Sequence, residues 1–202
     1  MSLKFSIKST AIIAVLVLII PLIILTVLSI KKPNISLNET ANISHNFFQE
    51  ESVSSGIPIN LKIPKIGVNV ILEQVGLTEQ GAVGIPADPL NAAWYNLGPR
   101  PGNIGSAVIT GHYGIWKNEQ AAIFNDLNKL NIGDELYTED ERGINSFFVV
   151  RDLKMYKYDA EVPEILISTD GLSHLNIITC AGAWNEATKS YPDRLVIFTD
   201  KK

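Results

Sequence analysis

His174-Leu-Asn-Ile-Ile-Thr-Cys180 and, starting fourteen residues after the cysteine, Arg194-Leu-Val-Ile-Phe198 decide how this chain is read. Both are apolar, β-branched runs of the kind that form strands. The only cysteine in the protein closes the first run, and an arginine opens the second. If the two pair as a hairpin around residues 181–192, strand end and strand start lie side by side. A guanidinium, always charged and rich in donors, then faces a thiol. Such a cysteine is either a buried filler or a nucleophile.

Composition narrows the field. The 202 residues leave room for one domain plus accessories. Net charge is −4 and charged residues make up 19%, which gives no basic surface for nucleic acid. One cysteine excludes an internal disulfide, so an extracytoplasmic thiol here is either buried or used. Lys4, Lys8, Lys31 and Lys32 bracket the first apolar run. Residues 33–202 hold all 21 acids and the other 13 of the 17 bases, a net of −8.

Ala11 to Ile30 carries no charge over twenty residues. At about 1.5 Å per helical residue it spans a hydrocarbon core of roughly 30 Å. Its length and its Ser29-Ile30-Lys31-Lys32 end favour an uncleaved anchor over a signal peptide, and the free amino terminus tips the topology toward N-inside. The expected organisation is a cytoplasmic tail at 1–10, a transmembrane helix at 11–30, a polar linker at 31–56 and a globular domain at 57–202. The linker has no Lys or Arg after residue 32 and is rich in Asn, Ser and Glu. Asn34, Asn38 and Asn42 match the glycosylation acceptor pattern there by composition. From Ile57 onward, short β-type runs alternate with Gly/Pro turns, the pattern of a barrel or sandwich. The strand candidates are 60–63, 68–73, 107–110, 135–138, 146–155, 175–179 and 194–199. Glu119–Leu130 is the one segment with helical spacing, through Ala122, Ile123, Leu127 and Leu130.

A thiol nucleophile needs a proton-exchanging partner and a stabiliser for charge on a carbonyl oxygen. His174 shares a strand face with Cys180, but six residues at about 3.3 Å each put it out of hydrogen-bond reach. It reads as a strand-entry or surface residue. His45 lies in the linker. His112 remains, in Ser106-Ala-Val-Ile-Thr-Gly-His112-Tyr-Gly114, where an apolar strand runs into a glycine-flanked turn that projects an imidazole from a rigid strand end. Arg194 is either the oxyanion partner or a surface arginine paired with Asp193. Scattered His and Cys residues show no metal-ligand spacing. Glu139-Asp-Glu141 reads as a solvated acidic hairpin turn, with a calcium site as the alternative. Trp94, Trp116 and Trp184 flank these segments and suit either a groove wall or core packing.

At these residues the chain resembles a sortase, one of the membrane-anchored bacterial cysteine transpeptidases. The family signature Thr-Leu-x-Thr-Cys reads Asn176-Ile-Ile-Thr-Cys180 here. Thr179 and Cys180 match, while Asn176 and Ile177 depart from the usual Thr and Leu. The resemblance covers about 57–202 and includes Ile63-Pro-Lys-Ile-Gly-Val68, Gly98-Pro-Arg-Pro-Gly102, 107–114 and Tyr191-Pro-Asp-Arg-Leu-Val196. It looks most like the class E/F branch. It implies an all-β, closed eight-stranded barrel with short helices. It also implies a cofactor-free, two-step reaction at the cell membrane, with the domain outside a cell of Gram-positive type. Cys180 would attack the Thr–Gly bond of an LPxTG-like sorting signal on a surface protein to form a thioester. His112 would be the general acid and base, Arg194 would hold substrate and oxyanion, and Thr179 would assist in substrate binding. The acceptor would be an amine of a peptidoglycan precursor or a pilin.

Three alternatives compete with this reading. A cysteine hydrolase on the same barrel shares the first step. An L,D-transpeptidase would carry an arginine two residues after the cysteine, where this chain has Gly182. An anchored binding module would merely bury Cys180.

Overall fold

A computed structural model describes residues 54–116 and 119–202. The expected tail, anchor and glycosylation acceptors, and all of the linker before Ser54, lie outside the described residues. Among the described residues no helix is long and apolar enough to cross a membrane.

Eight strands close into a barrel. They are β1 (Pro58–Ile63), β2 (Val68–Val75), β3 (Ala92–Tyr95), β4 (Gly105–Gly111), β5 (Glu135–Asp140), β6 (Asn145–Lys157), β7 (Ser173–Ala181) and β8 (Asp193–Lys201). Around the barrel the order is β1-β2-β3-β4-β7-β8-β6-β5, with β5 returning to β1. Closure leaves no edge strand, and eight strands make an interior that side chains can fill. Leu61, Ile63, Ile109, Phe148, Leu175 and Ile177 fill it and are fully buried. All seven strand candidates from the sequence are present, each longer by two to four residues. The one missed is β3, whose Ala-Ala-Trp-Tyr lacks both length and β-branching.

Two pairings are parallel, β2 with β3 and β4 with β7. The second matters most, because it sets the end of β4 beside the end of β7. Thr110 lies opposite Ile178, and the buried Thr179 hydroxyl donates to the Gly111 carbonyl at 2.9 Å.

The expected helix over 119–130 does not form. Its backbone donors go elsewhere: Ala122 N–H to Gly114, Ile123 N–H to Pro89 and Phe124 N–H to the His112 carbonyl. Only Leu127–Lys129 closes into a turn of 3₁₀ helix. Of the residues with that spacing, Ala122, Leu127 and Leu130 are buried and Ile123 is partly so, while Phe124 beside it is fully buried. The spacing reflects a segment lying across the barrel end, for which a helical face and an irregular cap look alike.

The opposite end is closed by a polar clamp. Asp140, at the end of β5, accepts from the Gly56, Arg142 and Ile144 amides at 2.8, 2.9 and 3.0 Å. It also accepts from Arg142 Nε at 3.0 Å and Nη2 at 2.6 Å. Arg142 Nη2 reaches on to the Ser54 carbonyl, and Arg100 holds that of Ser55. The acidic turn is therefore an internal lock that fixes where the chain enters the barrel. The Arg142 guanidinium, followed by the three amides, holds the Asp140 carboxyl well below the usual carboxylate range. A depressed folded-state pKa stabilises above the unfolded value of about 3.9, and that contribution fades as pH falls through the folded pKa. Asp140→Ala is expected to cost about 2 kcal/mol at pH 7, because it strands three amides and removes the anchor of a solvent-exposed guanidinium. In urea unfolding, variant and wild type should converge as the pH is lowered below 3. A constant gap across that range would contradict this account.

Candidate active site

The β7–β8 hairpin has the expected register: Cys180 lies opposite Arg194. Leu175 and Ile177 belong to the barrel core, so the two-residue alternation turns Thr179 inward with them. Ile178 and Cys180 face outward. Cys180 is half-buried and is the single thiol of the chain. Burial pushes that thiol up, and the Arg194 guanidinium opposes it. The resting group is therefore a neutral thiol that needs a partner to take its proton.

Arg194 is not spent on a carboxylate. Its Nη1 donates to the Tyr191 and Asp193 carbonyls at 3.2 and 2.9 Å. The Asp193 carboxylate instead pairs with Lys157 at 2.8 Å. Two carbonyls thus fix the guanidinium's direction without neutralising it, and its other donors remain for a ligand.

His112 arrives on the loop leaving β4, next to the β4–β7 lock. The glycines around it are sterically required. A Cβ on Gly111 would strike the Phe124 ring, and one on Gly114, at φ +91°, would strike the Tyr191 hydroxyl. The His112 ring lies 5.2 Å from that of Trp116. Its Nε2 is 2.9 Å from the Pro86 carbonyl. A carbonyl only accepts, so Nε2 carries a proton and donates it. That leaves Nδ1 as the nitrogen free to exchange.

Two depressions meet at Cys180 and Arg194, which border both. One is an apolar groove of about 320 Å³, walled by Val83, Ile85, Tyr158, Val162, Leu166 and Ile178. The other is a cleft of about 860 Å³, lined by His112, Trp116, Trp184, Tyr191, Glu186 and Lys189. Tyr191 packs edge-on against Trp184 and Tyr113. Trp94 is no part of this site; it is buried, with Nε1 donating to the Pro99 carbonyl.

The structure therefore brings Cys180, Arg194 and His112 together. Thr179 borders the groove with its hydroxyl committed to Gly111. His174 is at the far end of β7, at its entry but buried rather than on the surface. Its Nδ1 and Nε2 lie 2.7 and 2.8 Å from Asp200 and Asp170, and Asp200 also pairs with Arg151. The Ser168 hydroxyl, then the Leu172 amide, hold the Asp170 carboxyl down to about 2. Asn176, the departure from the signature, donates from Nδ2 to the Ile165 carbonyl at 2.7 Å. It pins the 160s segment that forms one groove wall. Sequence reasoning passed over that wall and Pro86 alike, because their neighbours lie across long loops and no local pattern marks them.

A closed barrel that presents its single thiol to two depressions is the layout of a cysteine-dependent acyl-transfer enzyme. The sortase-domain family model matches residues 61–202, and the chain belongs to the sortase family, a family of cysteine transpeptidases and peptidases. The fold is similar to that of sortase C-1 from Actinomyces oris, at 22% identity and a TM-score of 0.55, over 72% of this chain and 74% of that one. A lid mutant of sortase A from Corynebacterium diphtheriae matches at 19% identity and a TM-score of 0.54, over 74% and 72%. Sortase C1 from Streptococcus suis matches at 20% and 0.53, over 72% and 73%. No curated protein matches the sequence.

Proposed function

We propose that this protein is a membrane-anchored transpeptidase that cuts an LPxTG-like sorting signal between Thr and Gly and passes the acyl group to an amine. The observation that carries this reading is the shared border: Cys180 and Arg194 separate an apolar groove from a wider, aromatic and charged cleft. A hydrolase needs one organised substrate site, whereas acyl transfer needs two that converge on one nucleophile. The apolar groove suits the Leu-Pro portion of a sorting signal. The cleft suits an amine acceptor, with Glu186 available to attract its charge and His112 to receive its proton.

The reaction runs in two balanced steps. His112 takes the thiol proton as the Cys180 sulfur attacks the threonyl carbonyl carbon, and a tetrahedral oxyanion forms beside Arg194. The C–N bond breaks, the glycyl nitrogen takes a proton from His112, and a thioester remains. An amine from a peptidoglycan precursor or pilin then attacks the thioester, its proton passes to His112, and the C–S bond breaks to free the thiolate. Residues 11–30 would hold the domain on the outer face of the membrane of a Gram-positive-type cell. The run of matching segments over 57–202 looks most like the class E/F branch.

The test is to incubate the full-length chain with an LPxTG-type peptide and to follow mass, with and without an amine acceptor. An acyl adduct on Cys180, discharged as an amide when amine is present, is expected. Discharge only to the free acid would replace transfer by hydrolysis, and absence of any adduct would overturn the substrate class.

A further inference from the structure

The loop between β2 and β3 holds a connection that neither the signature nor the site's own residues reveal. The Pro86–Ala87 peptide is bonded at both ends. Its carbonyl, on buried Pro86, accepts from His112 Nε2 at 2.9 Å. Its N–H, on Ala87, donates to Glu73 Oε2 at 2.8 Å. Glu73 stands on β2, a strand of the closed barrel, and its other oxygen accepts from Asp88 N at 3.3 Å and Asn91 Nδ2 at 3.0 Å. In a trans peptide the N–H and C=O point in opposite directions, so carboxylate, peptide and imidazole line up in one chain. Hydrogen bonds in series polarise one another. A carboxylate pulling on the N–H makes the carbonyl at the other end a better acceptor for the imidazole proton.

The loop is otherwise tied down on both sides of this peptide. The Thr110 hydroxyl donates to the Gly84 carbonyl at 2.8 Å, and Ile123 N–H to that of Pro89 at 3.0 Å. Both ties lead back to the β4 exit that carries His112. The Ala87 amide, then the Asn91 side chain and the Asp88 amide, lower the Glu73 carboxyl, with His112 adding an attraction. Cys180, Arg194, Glu186, Lys189 and Tyr191 line the same cleft as His112.

We propose that Glu73 is a positioning residue that acts on His112 through the Pro86–Ala87 peptide, fixing the imidazole's orientation and its Nε2–H tautomer so that Nδ1 is the base. It does by way of one backbone peptide what a directly bonded carboxylate does in a Ser-His-Asp triad. It rests on the proposed role of His112 but is read by a separate measurement.

The experiment is a ¹⁵N-histidine NMR spectrum of the full-length chain, with the His112 signal assigned by its loss in His112→Ala. Wild type should show a single Nε2–H tautomer. Glu73→Ala should populate the other tautomer and lower kcat on the order of tenfold to a hundredfold with KM nearly unchanged. That lies between no effect and the roughly 10⁴-fold loss on disabling the carboxylate that touches a triad histidine. Glu73→Gln, whose carbonyl still accepts from Ala87, should restore most of both. Ala87→Pro removes that N–H and its ring pushes the Glu73 carboxylate off the peptide, so it should reproduce the Glu73→Ala result; it decides the matter if Glu73→Ala does not fold. A wild-type His112 spectrum in either folded variant overturns the proposal. Because the spectrum does not depend on turnover, an inactive wild type would sink the transpeptidase reading and leave this one standing.

Discussion

Cys180→Ala should leave a folded barrel with no acyl adduct and no turnover. Removing the nucleophile of a covalent hydrolase costs about 10⁶-fold in kcat, down to what binding alone supplies. Nothing here can substitute for it, since Cys180 is the only thiol. The fold should survive because the β7–β8 register is carried by backbone bonds. The side chain is only half-buried, so the substitution should cost on the order of 1 kcal/mol. Peptide turnover and adduct mass, taken with a thermal melt, check this. Turnover above a hundredth of wild type in the alanine variant would remove Cys180 from the mechanism. A thiol bordering two open depressions should also react with alkylating reagents in the native state. Protection from them would favour the buried-cysteine binding module instead.

His112→Ala should lower kcat by about 10²- to 10⁴-fold, the range for a lost general acid–base. The separation of roles is the informative part. Native-state alkylation of Cys180 should slow without stopping in this variant, because the thiol stays accessible while its proton acceptor is lost, whereas acyl transfer fails. The backbone is held independently of the ring, through the Phe124 N–H to His112 carbonyl bond at 3.0 Å. Added imidazole should recover part of the rate by occupying the space beside Trp116. Wild-type turnover in His112→Ala would remove that residue from the site.

What the sequence disclosed follows from the range of each interaction. Strand runs such as 107–110 and 175–179 announce themselves because alternation and β-branching are local. The Cys180–Arg194 juxtaposition was also legible, as a hairpin converts sequence position directly into proximity. His112 follows by elimination, and distance along the strand alone excludes His174. By contrast, β3 is too short and too alanine-rich to signal a strand. The 119–130 segment satisfies its amides with distant carbonyls while keeping a helix-like apolar spacing. Glu73 reads as an ordinary strand carboxylate, because its partners lie fourteen to eighteen residues ahead in a loop. The thiol and the arginine opposite it were visible, and the loop bonds around His112 were not.

The parallel contact between β4 and β7 also governs when this protein can become active. It joins segments 68 residues apart, and β8 must insert between β7 and β6 before the barrel closes. Non-local pairings of this kind repay their loop-closure entropy late, so they form slowly. A chain being synthesised carries its thiol at residue 180 well before Arg194 exists, and His112 meets neither until β4 and β7 zip together. Reactivity is thus deferred to the last event of folding. An incomplete or misfolded chain holds a cysteine with neither the guanidinium opposite it nor the imidazole to receive its proton.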